Sequence, residues 1–390
     1  MNAQPDMTTT PEMTPAEHAV KMAGYIDAGA QRAMALGNRG PIRLDAEGQL
    51  HPSIVEAYWR CGFYVFEGVV GAEELSDLRQ DVENTLAAAP AHPDPNSSPG
   101  NPSAFGGEYA KPPYRYAKPL SDPYGGTDLN NGRHPIAMQG PTASSDAPEW
   151  TVNLLDGNLQ LMDASLRLYG HPGLLAVAEA ILGPDFVPYN EVTFIKEPGL
   201  GPAVAWHQDG TTHWNAKDWN EGAHGFNFMT QLYDSTPANC VWALPGTHKL
   251  GKVDFKALAA ASGSDQLDGA VPMMCAAGDA VIMNRQLAHG SFANTSTERR
   301  VTLNAGFFPR SRVLNVATRK LNGEEVVYTA DRIHERSRII QLGIDARRQR
   351  FPDEAPFAYK PLVGEEGQNR WSETARETLL KDYNLRDMFI

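Results

Sequence analysis

Four side chains of this chain have types and spacing suited to chemistry: His207 and Asp209, within Trp206-His207-Gln208-Asp209-Gly210, then His289, and Arg300 eleven residues beyond it. Two imidazoles and one carboxylate fill three positions of an octahedral ion and leave the others open. That donor set suits a redox-active Fe(II) that must admit a co-substrate and dioxygen. A His-x-Asp triplet is weak by itself in a chain with eleven histidines. Its surroundings carry the weight.

Downstream of the triplet lies Ala243-Leu244-Pro245-Gly246-Thr247-His248-Lys249, then Gly278-Asp279-Ala280-Val281-Ile282-Met283, then His289-Gly290-Ser291 with Asn294, Ser296 and Arg300. Upstream stand Gly62-Phe63-Tyr64-Val65-Phe66-Glu67-Gly68 and the acidic helix opening Ala72-Glu73-Glu74-Leu75. In this order and spacing the segments resemble the phytanoyl-CoA dioxygenase (PhyH) family over roughly residues 50 to 310. The resemblance implies Fe(II) and 2-oxoglutarate with dioxygen, His207, Asp209 and His289 as catalytic metal ligands, and Arg300 on the distal carboxylate of 2-oxoglutarate. Ser291 and Asn190 are similar to secondary co-substrate contacts of that family. Related halogenases replace the carboxylate ligand with a small residue, so the presence of Asp209 favours hydroxylation.

One departure stands at Ala238-Asn239-Cys240, where the family usually has Asn-Gly-Cys. Asn is the non-glycine residue that best tolerates positive φ, so a left-handed turn is expected at Asn239.

These residues need a scaffold that turns them inward. Short apolar runs near 187–196, 203–207, 226–233, 241–244, 280–283 and 301–308, separated by Gly and Pro turns, read as strands of a sandwich or jelly roll. Helical patterns at 51–60, 72–88 and 172–182 precede or flank them. The expected fold class is α+β, a double-stranded β-helix (cupin-like jelly-roll) core with flanking helices and a C-terminal extension. In Arg300-Val301-Thr302-Leu303-Asn304, polar and apolar residues alternate, so Arg300, Thr302 and Asn304 share one face and Arg299 points the other way. An inward guanidinium needs an anion, because an unpaired buried charge costs several kcal/mol.

The domain organisation reads as an N-terminal helical arm over 1–45, opened by the capping box Thr14-Pro15-Ala16-Glu17 and packed outside the core, then one catalytic domain over 46–310, then an extension over 311–390. The extension, with helix-prone stretches at 331–341 and 372–383, is expected either to cover the site or to form a homodimer contact. Within the domain, residues 90–149 hold twelve of the 29 prolines and are expected to be irregular, a lid or a solvated insert. Tyr114, Arg115 and Tyr116 in that insert are substrate candidates, two amphipathic rings around one fixed cation, and Trp214 is a candidate substrate wall. His213 and His224 follow the triplet closely, but an iron with open positions needs no fourth protein donor. His248 reads as a turn-stabilising hydrogen bonder.

The formal charge of −13 argues against nucleic acid or an anionic membrane surface as partner and leaves a small molecule. Three scattered cysteines make no disulfide framework, and no apolar run reaches membrane-spanning length, so the expected location is cytoplasmic. The expected reaction is hydroxylation of an unactivated C–H of a secondary metabolite, amino-acid derivative or acyl compound, with release of succinate and CO2. Desaturation, epoxidation or ring formation would use the same chemistry. A cupin-like metal-dependent isomerase or binding protein is the non-oxygenase alternative.

Overall fold

In the computed structural model, the described residues are 13–93, 113–210, 213–214, 216–217, 219, 225–319, 325–380 and 383. Among the described residues, fourteen strands run in chain order: β1 (Arg39–Gly40), β2 (Phe63–Phe66), β3 (Tyr114–Ala117), β4 (Thr151–Asp156), β5 (Phe186–Lys196), β6 (Val204–His207), β7 (Phe226–Gln231), β8 (Trp242–Ala243), β9 (Val271–Pro272), β10 (Ala280–Asn284), β11 (His289–Ser291), β12 (Arg300–Pro309), β13 (Ala317–Arg319) and β14 (Glu325–Val327). The major sheet has the order β1-β2-β10-β7-β12-β5-β4-β3 and the minor sheet β6-β11-β8-β9. Only β13 and β14 stand apart, as a two-stranded ribbon.

The helices are α1 (Pro15–Ala35), α2 (Pro52–Cys61), α3 (Ala72–Ala87), α4 (Asn158–Leu161), α5 (Asp163–Tyr169), α6 (Pro172–Leu182), α7 (Phe255–Ser262), α8 (Arg310–Val313) and α9 (Ala330–Arg350). Thr14 and Glu17 form the reciprocal capping box at the start of α1. Gly62, at φ 86°, ends α2 in the left-handed region and turns the chain directly into β2. A side chain there would meet the His248 ring, whose Nε2 lies 3.0 Å from the carbonyl of Trp59.

Period-two alternation divides the major sheet into two faces. Tyr64, Phe66, Phe228, Ile282, Leu303 and Ile195 face a layer of helices, joined by Leu78 of α3, Leu166 of α5, Leu175 of α6 and Ile340 of α9. Phe63, Val65, Met229 and Met283 face the minor sheet and pack with Ala243 and Val271. The two facing sheets form the expected jelly roll, and the cavity between them holds the polar side chains described below.

The termini are more integral than an arm and a cover would be. Met22 of α1 is buried with Trp206, Trp242 and Phe292, and Tyr25 stacks on Trp242 with ring centroids 4.6 Å apart. The helix lies so close that a Cβ on Gly29 would sit 2.5 Å from the Trp242 ring. In the extension, α9 belongs to the helical layer on the side of the major sheet away from the cavity, not over the cavity. It is fastened by Arg347, which reaches Glu74 of α3 through two bonds of 2.6 and 3.1 Å with both side chains buried.

The insert is also partly regular. Residues 94–112 lie outside the described residues. Tyr114–Ala117 forms β3, the edge strand of the major sheet against β4, where only irregular chain was expected. The chain beyond it packs Leu120 and Met138 against the outer side of the minor sheet.

Removing one partner of a buried ion pair leaves the other charge stranded, at a cost of about 3 to 5 kcal/mol. Arg347→Met is therefore expected to lower unfolding stability by about that amount in urea titration, and Arg347→Met with Glu74→Leu to recover most of it. A loss below about 1 kcal/mol for the single variant would show that this pair does not fasten α9 to α3.

Candidate metal centre

Strand pairing creates the site. In the antiparallel pair of β6 and β11, His207 and His289 are direct partners, and their ring centroids lie 4.2 Å apart. Each ring places Nδ1 against the carbonyl two residues before it, Ala205 at 2.8 Å and Leu287 at 2.9 Å. A carbonyl can only accept, so Nδ1 carries the proton and Nε2 is left with its lone pair for a metal. Asp209 follows β6 by two residues, and its amide donates to the carbonyl of Arg285 at 2.9 Å. One carboxylate oxygen, Oδ1, is 3.6 Å from His207 Nε2. One potential ligand atom from each of His207, Asp209 and His289 lies within 4.8 Å of the others, and this is the one such cluster among the described residues.

The electrostatics suit a cation. Burial pushes His289 down to about 4, with His207 adding to the effect, so its ring is neutral near pH 7. Burial alone would raise the Asp209 carboxyl, but the nearby Arg285 guanidinium, above all, holds it well below the usual carboxylate range. The triad thus offers one anionic oxygen and two imidazole Nε2 atoms, a donor set which an Fe(II) ion fits.

The triad opens on a cavity that is also lined by Ser291, Arg300, Thr302 and Asn304. Arg300 is 2% exposed and donates from Nη1 to the carbonyl of Asn239 at 2.9 Å, while its buried Nε has no partner. Burial pushes its pKa down to about 10. Its neighbour Arg299 turns away to Glu83 and to Glu197, the latter at 2.7 Å. A buried guanidinium facing a cavity, with an unused N–H and no carboxylate among the described residues bonded to it, is a cradle for a carboxylate. The residues present therefore fit both an Fe(II) ion and a dicarboxylate co-substrate.

Asn239 does not adopt the expected left-handed turn, being absent from the positive-φ residues. Its side chain stabilises the turn instead: Oδ1 accepts from Thr236 N at 2.9 Å and Nδ2 donates to the Glu298 carbonyl at 3.3 Å. The carbonyl it presents is the one that Arg300 grips.

Other candidates stand elsewhere. Tyr114, Arg115 and Tyr116 lie on β3 and are engaged away from the cavity: Tyr114 Oη donates to the Thr85 carbonyl at 3.0 Å, Arg115 pairs with Asp156 at 2.5 Å, and Tyr116 Oη donates to the Pro90 carbonyl at 2.7 Å. Pairing of β3 with β4 places them at the edge of the major sheet, and they are not among the residues lining the cavity. Trp214 is not among the cavity residues; it packs edge-on against Trp219 at 5.0 Å beneath Lys252. Asn190 is also not among the cavity residues, and it accepts from Arg285 at 3.2 Å. His213 lies 2.9 Å from the carbonyl of Arg312, and His224 is outside the described residues.

Four residues near the triad were missed in the sequence. Arg133 and His134 come from the insert: Arg133 donates to the Gln208 carbonyl, and the His134 ring lies 4.3 Å from that of His207. Nothing in their local pattern marks them. Asn227 and Arg285 surround Asp209, and Asn227 had a signal, a polar residue within the apolar strand Phe226-Asn227-Phe228.

The match to the phytanoyl-CoA dioxygenase (PhyH) family model extends over residues 58–302, more than half of the chain. The chain belongs to this family. A curated relative, "Phytanoyl-CoA dioxygenase 1" of Oryza sativa subsp. japonica, is 32% identical over 117 residues, covering 28% of this chain and 40% of the rice protein. The matched part is thus well under half of that relative's length. Similar solved structures include EctD from S. alaskensis with 2-oxoglutarate and 5-hydroxyectoine, at 18% identity and a TM-score of 0.48 over 73% of this chain and 83% of that one. They also include AviO1 from Streptomyces viridochromogenes Tue57, at 20% identity and 0.46 over 68% and 96%. The 2-oxoglutarate-dependent epimerase SnoN from nogalamycin biosynthesis matches at 17% and 0.43 over 66% and 84%. No helix of the described residues is long and apolar enough to cross a membrane.

Three buried imidazoles set a pH dependence for the metal-free protein. Burial pushes His134 down to about 2, and His248 and His289 each to about 4. An unfolded histidine titrates near 6.5. Below that pH the unfolded chain binds protons that the folded chain refuses, so stability is complete above about pH 6.5 and falls as pH drops toward 4. Each ring should contribute about 1.4 kcal/mol per pH unit in that window. Urea midpoints of metal-free protein should fall steadily from pH 7 to pH 5, and His248→Gln should flatten the slope; a flat wild-type profile would show that these rings are accessible to protons when folded.

Proposed function

We propose that this chain is an Fe(II)- and 2-oxoglutarate-dependent dioxygenase that hydroxylates an unactivated C–H of a small molecule. The observation that carries this reading is a single cavity lined by both the His207, Asp209 and His289 cluster and the buried, acid-free guanidinium of Arg300. Iron held there would activate dioxygen, driven by oxidative decarboxylation of 2-oxoglutarate to succinate and CO2. The chain's own part is binding, orientation and exclusion of water.

In this reading His207 and His289 present Nε2 to the metal with tautomers fixed by their carbonyl bonds, and Asp209 supplies the one negative ligand. Arg300 receives the distal carboxylate of 2-oxoglutarate, for which the planar fork of a guanidinium is matched in shape and charge. Ser291, facing it from the minor sheet, offers a hydroxyl donor, whereas the Thr302 hydroxyl is already given to Gln231 Oε1 at 2.8 Å. Retention of Asp209 supports hydroxylation over halogenation. Desaturation, epoxidation and ring formation by the same site differ only in how the substrate is held. The three cysteines are all free and buried, which suits a reducing compartment such as the cytoplasm.

Two experiments test the reading. Metal analysis of anaerobically reconstituted protein should find one Fe(II) per chain, lost together with succinate formation in His207→Ala and His289→Ala. Full activity in either variant would remove that residue from the ligand set. Arg300→Ala should raise the 2-oxoglutarate requirement by tens to thousands of fold, corresponding to about 2 to 5 kcal/mol for a buried charge-assisted pair, whereas Arg299→Ala should change it little. Equal effects would mean that Arg300 does not hold the co-substrate.

A further inference from the structure

We propose that Asn227 and Arg285 form a relay that fixes Asp209 as a one-oxygen metal ligand. The inference rests on the metal reading above and goes beyond the triad. Asp209 divides its two oxygens: Oδ1 lies 3.6 Å from His207 Nε2, on the side of the imidazoles, while Oδ2 accepts from Asn227 Nδ2 at 2.7 Å. A carboxylate with both oxygens free could grip a metal with both, filling a position that a co-substrate or dioxygen requires. The amide bond to Oδ2 removes that option.

Asn227 can do this only in one of its two amide orientations, and the two ends of the amide are alike in size. Arg285 makes the choice. Its guanidinium has donors alone, and Nη1 lies 2.7 Å from Asn227 Oδ1, so the oxygen must face Arg285 and the amide N–H must face Asp209. The same Nη1 also reaches Asn190 Oδ1 at 3.2 Å. The guanidinium is 5.3 Å from the Phe308 ring centroid and 5.6 Å from that of Tyr189, beside a pair of rings that are themselves in contact.

The backbone makes room for this network. A Cβ on Gly306 would lie 2.1 Å from Asn190 Oδ1 and 3.1 Å from Asn227 Oδ1, and the register of β12 against β5 shifts between Gly306 and Phe307. Glycine is needed here for close approach. β5, β7, β12 and the segment after β10 thus meet around Asn227 and Arg285, and Asn227 passes the contact to Asp209 Oδ2. Asn227 and Arg285 are positioning residues, acting on the metal through Asp209.

The relay and simple electrostatics differ in sign. Arg285 is a positive charge near a cation site, so by charge alone its removal should tighten binding of a divalent ion. The relay requires the opposite. With Mn(II) as a redox-silent probe, calorimetric titration of metal-free protein should show binding weakened on the order of 10 to 100-fold in Asn227→Ala and in Arg285→Met. Arg285→Met should add little in the Asn227→Ala background, because its effect passes through that amide. Arg285→Lys, which keeps a donor, should recover part of the loss, and Gly306→Ala should weaken binding without changing any polar group. Unchanged or tighter Mn(II) binding in folded Arg285→Met, or fully additive losses in the double variant, overturns the relay. If Asn227→Ala does not fold, the direction of change in Arg285→Met decides alone. A wild-type chain that takes up no Mn(II) would overturn the metal reading beneath it, whereas normal wild-type uptake with indifferent variants overturns only the relay.

Discussion

The pairing of β6 with β11 is the constraint on which the site depends. His207 and His289 are opposite each other in that ladder, and each ring is turned by the carbonyl two residues before it. In a β-pair a slip of one residue sends every side chain to the other face. A shifted register would therefore bury one imidazole in the apolar layer beneath Trp206 and Phe292 and leave the cavity with half a ligand set. The large aromatic side chains packed behind the minor sheet help to make the correct register the low-energy one. Trp206 and Trp242 are fully buried there, held by bonds to the carbonyls of Asp265 at 2.7 Å and Pro237 at 3.0 Å.

Charge inside the cavity follows a similar logic. Lys196 and Arg300 are direct cross-strand partners on β5 and β12, both are buried, and both reach only backbone carbonyls, Phe292 for Lys196 and Asn239 for Arg300. Two like charges directly opposite on a ladder repel. Burial, with Arg300 beside it, presses Lys196 well below the ordinary lysine range. A lysine can relieve the conflict by losing its proton, and a guanidinium cannot. The surplus positive charge therefore settles on Arg300, the side chain whose flat fork can grip a carboxylate. Its separation from Arg299, which is answered by Glu83 and Glu197, results from nothing more than strand parity.

That parity was legible in the sequence, because β12 alternates polar and apolar residues where one face meets the cavity and the other meets helices. The strand at Phe63–Phe66 and the helix at Pro172–Leu182 were readable for the same reason: local pattern and turn chemistry agree with burial. Two short motifs gave the triad its place because its members lie at strand ends, where spacing along the chain maps directly onto spacing in the ladder. The insert was not legible. Nothing in Tyr114-Arg115-Tyr116 distinguishes an edge strand from an exposed loop, since β3 exists only by pairing with β4, whose residues lie tens of positions away. Arg133 and His134 were hidden for a related reason, being brought to the triad by a path that no periodicity encodes. Asn239 shows a subtler limit. A residue tolerant of positive φ does not require it, and here its side chain forms the turn through hydrogen bonds instead.

The polar cavity is possible because the opposite face of the same sheet is so thoroughly apolar. Val301 and Leu303 alternate with Thr302 and Asn304, and the former pair is buried in the layer that α3, α5, α6 and α9 complete. The strands of the major sheet that lend polar groups to the interior are thus held from behind by an apolar layer. Side chains on such strands are placed more accurately than side chains on loops. Asn190, Asn227 and Gly306 all lie on these strands. Asp209 does not, since it follows the end of β6 in a turn with the freedom that turns have. A ligand in a turn must borrow rigidity from elsewhere, and the groups that touch Asp209 come from the sheet the helices stiffen.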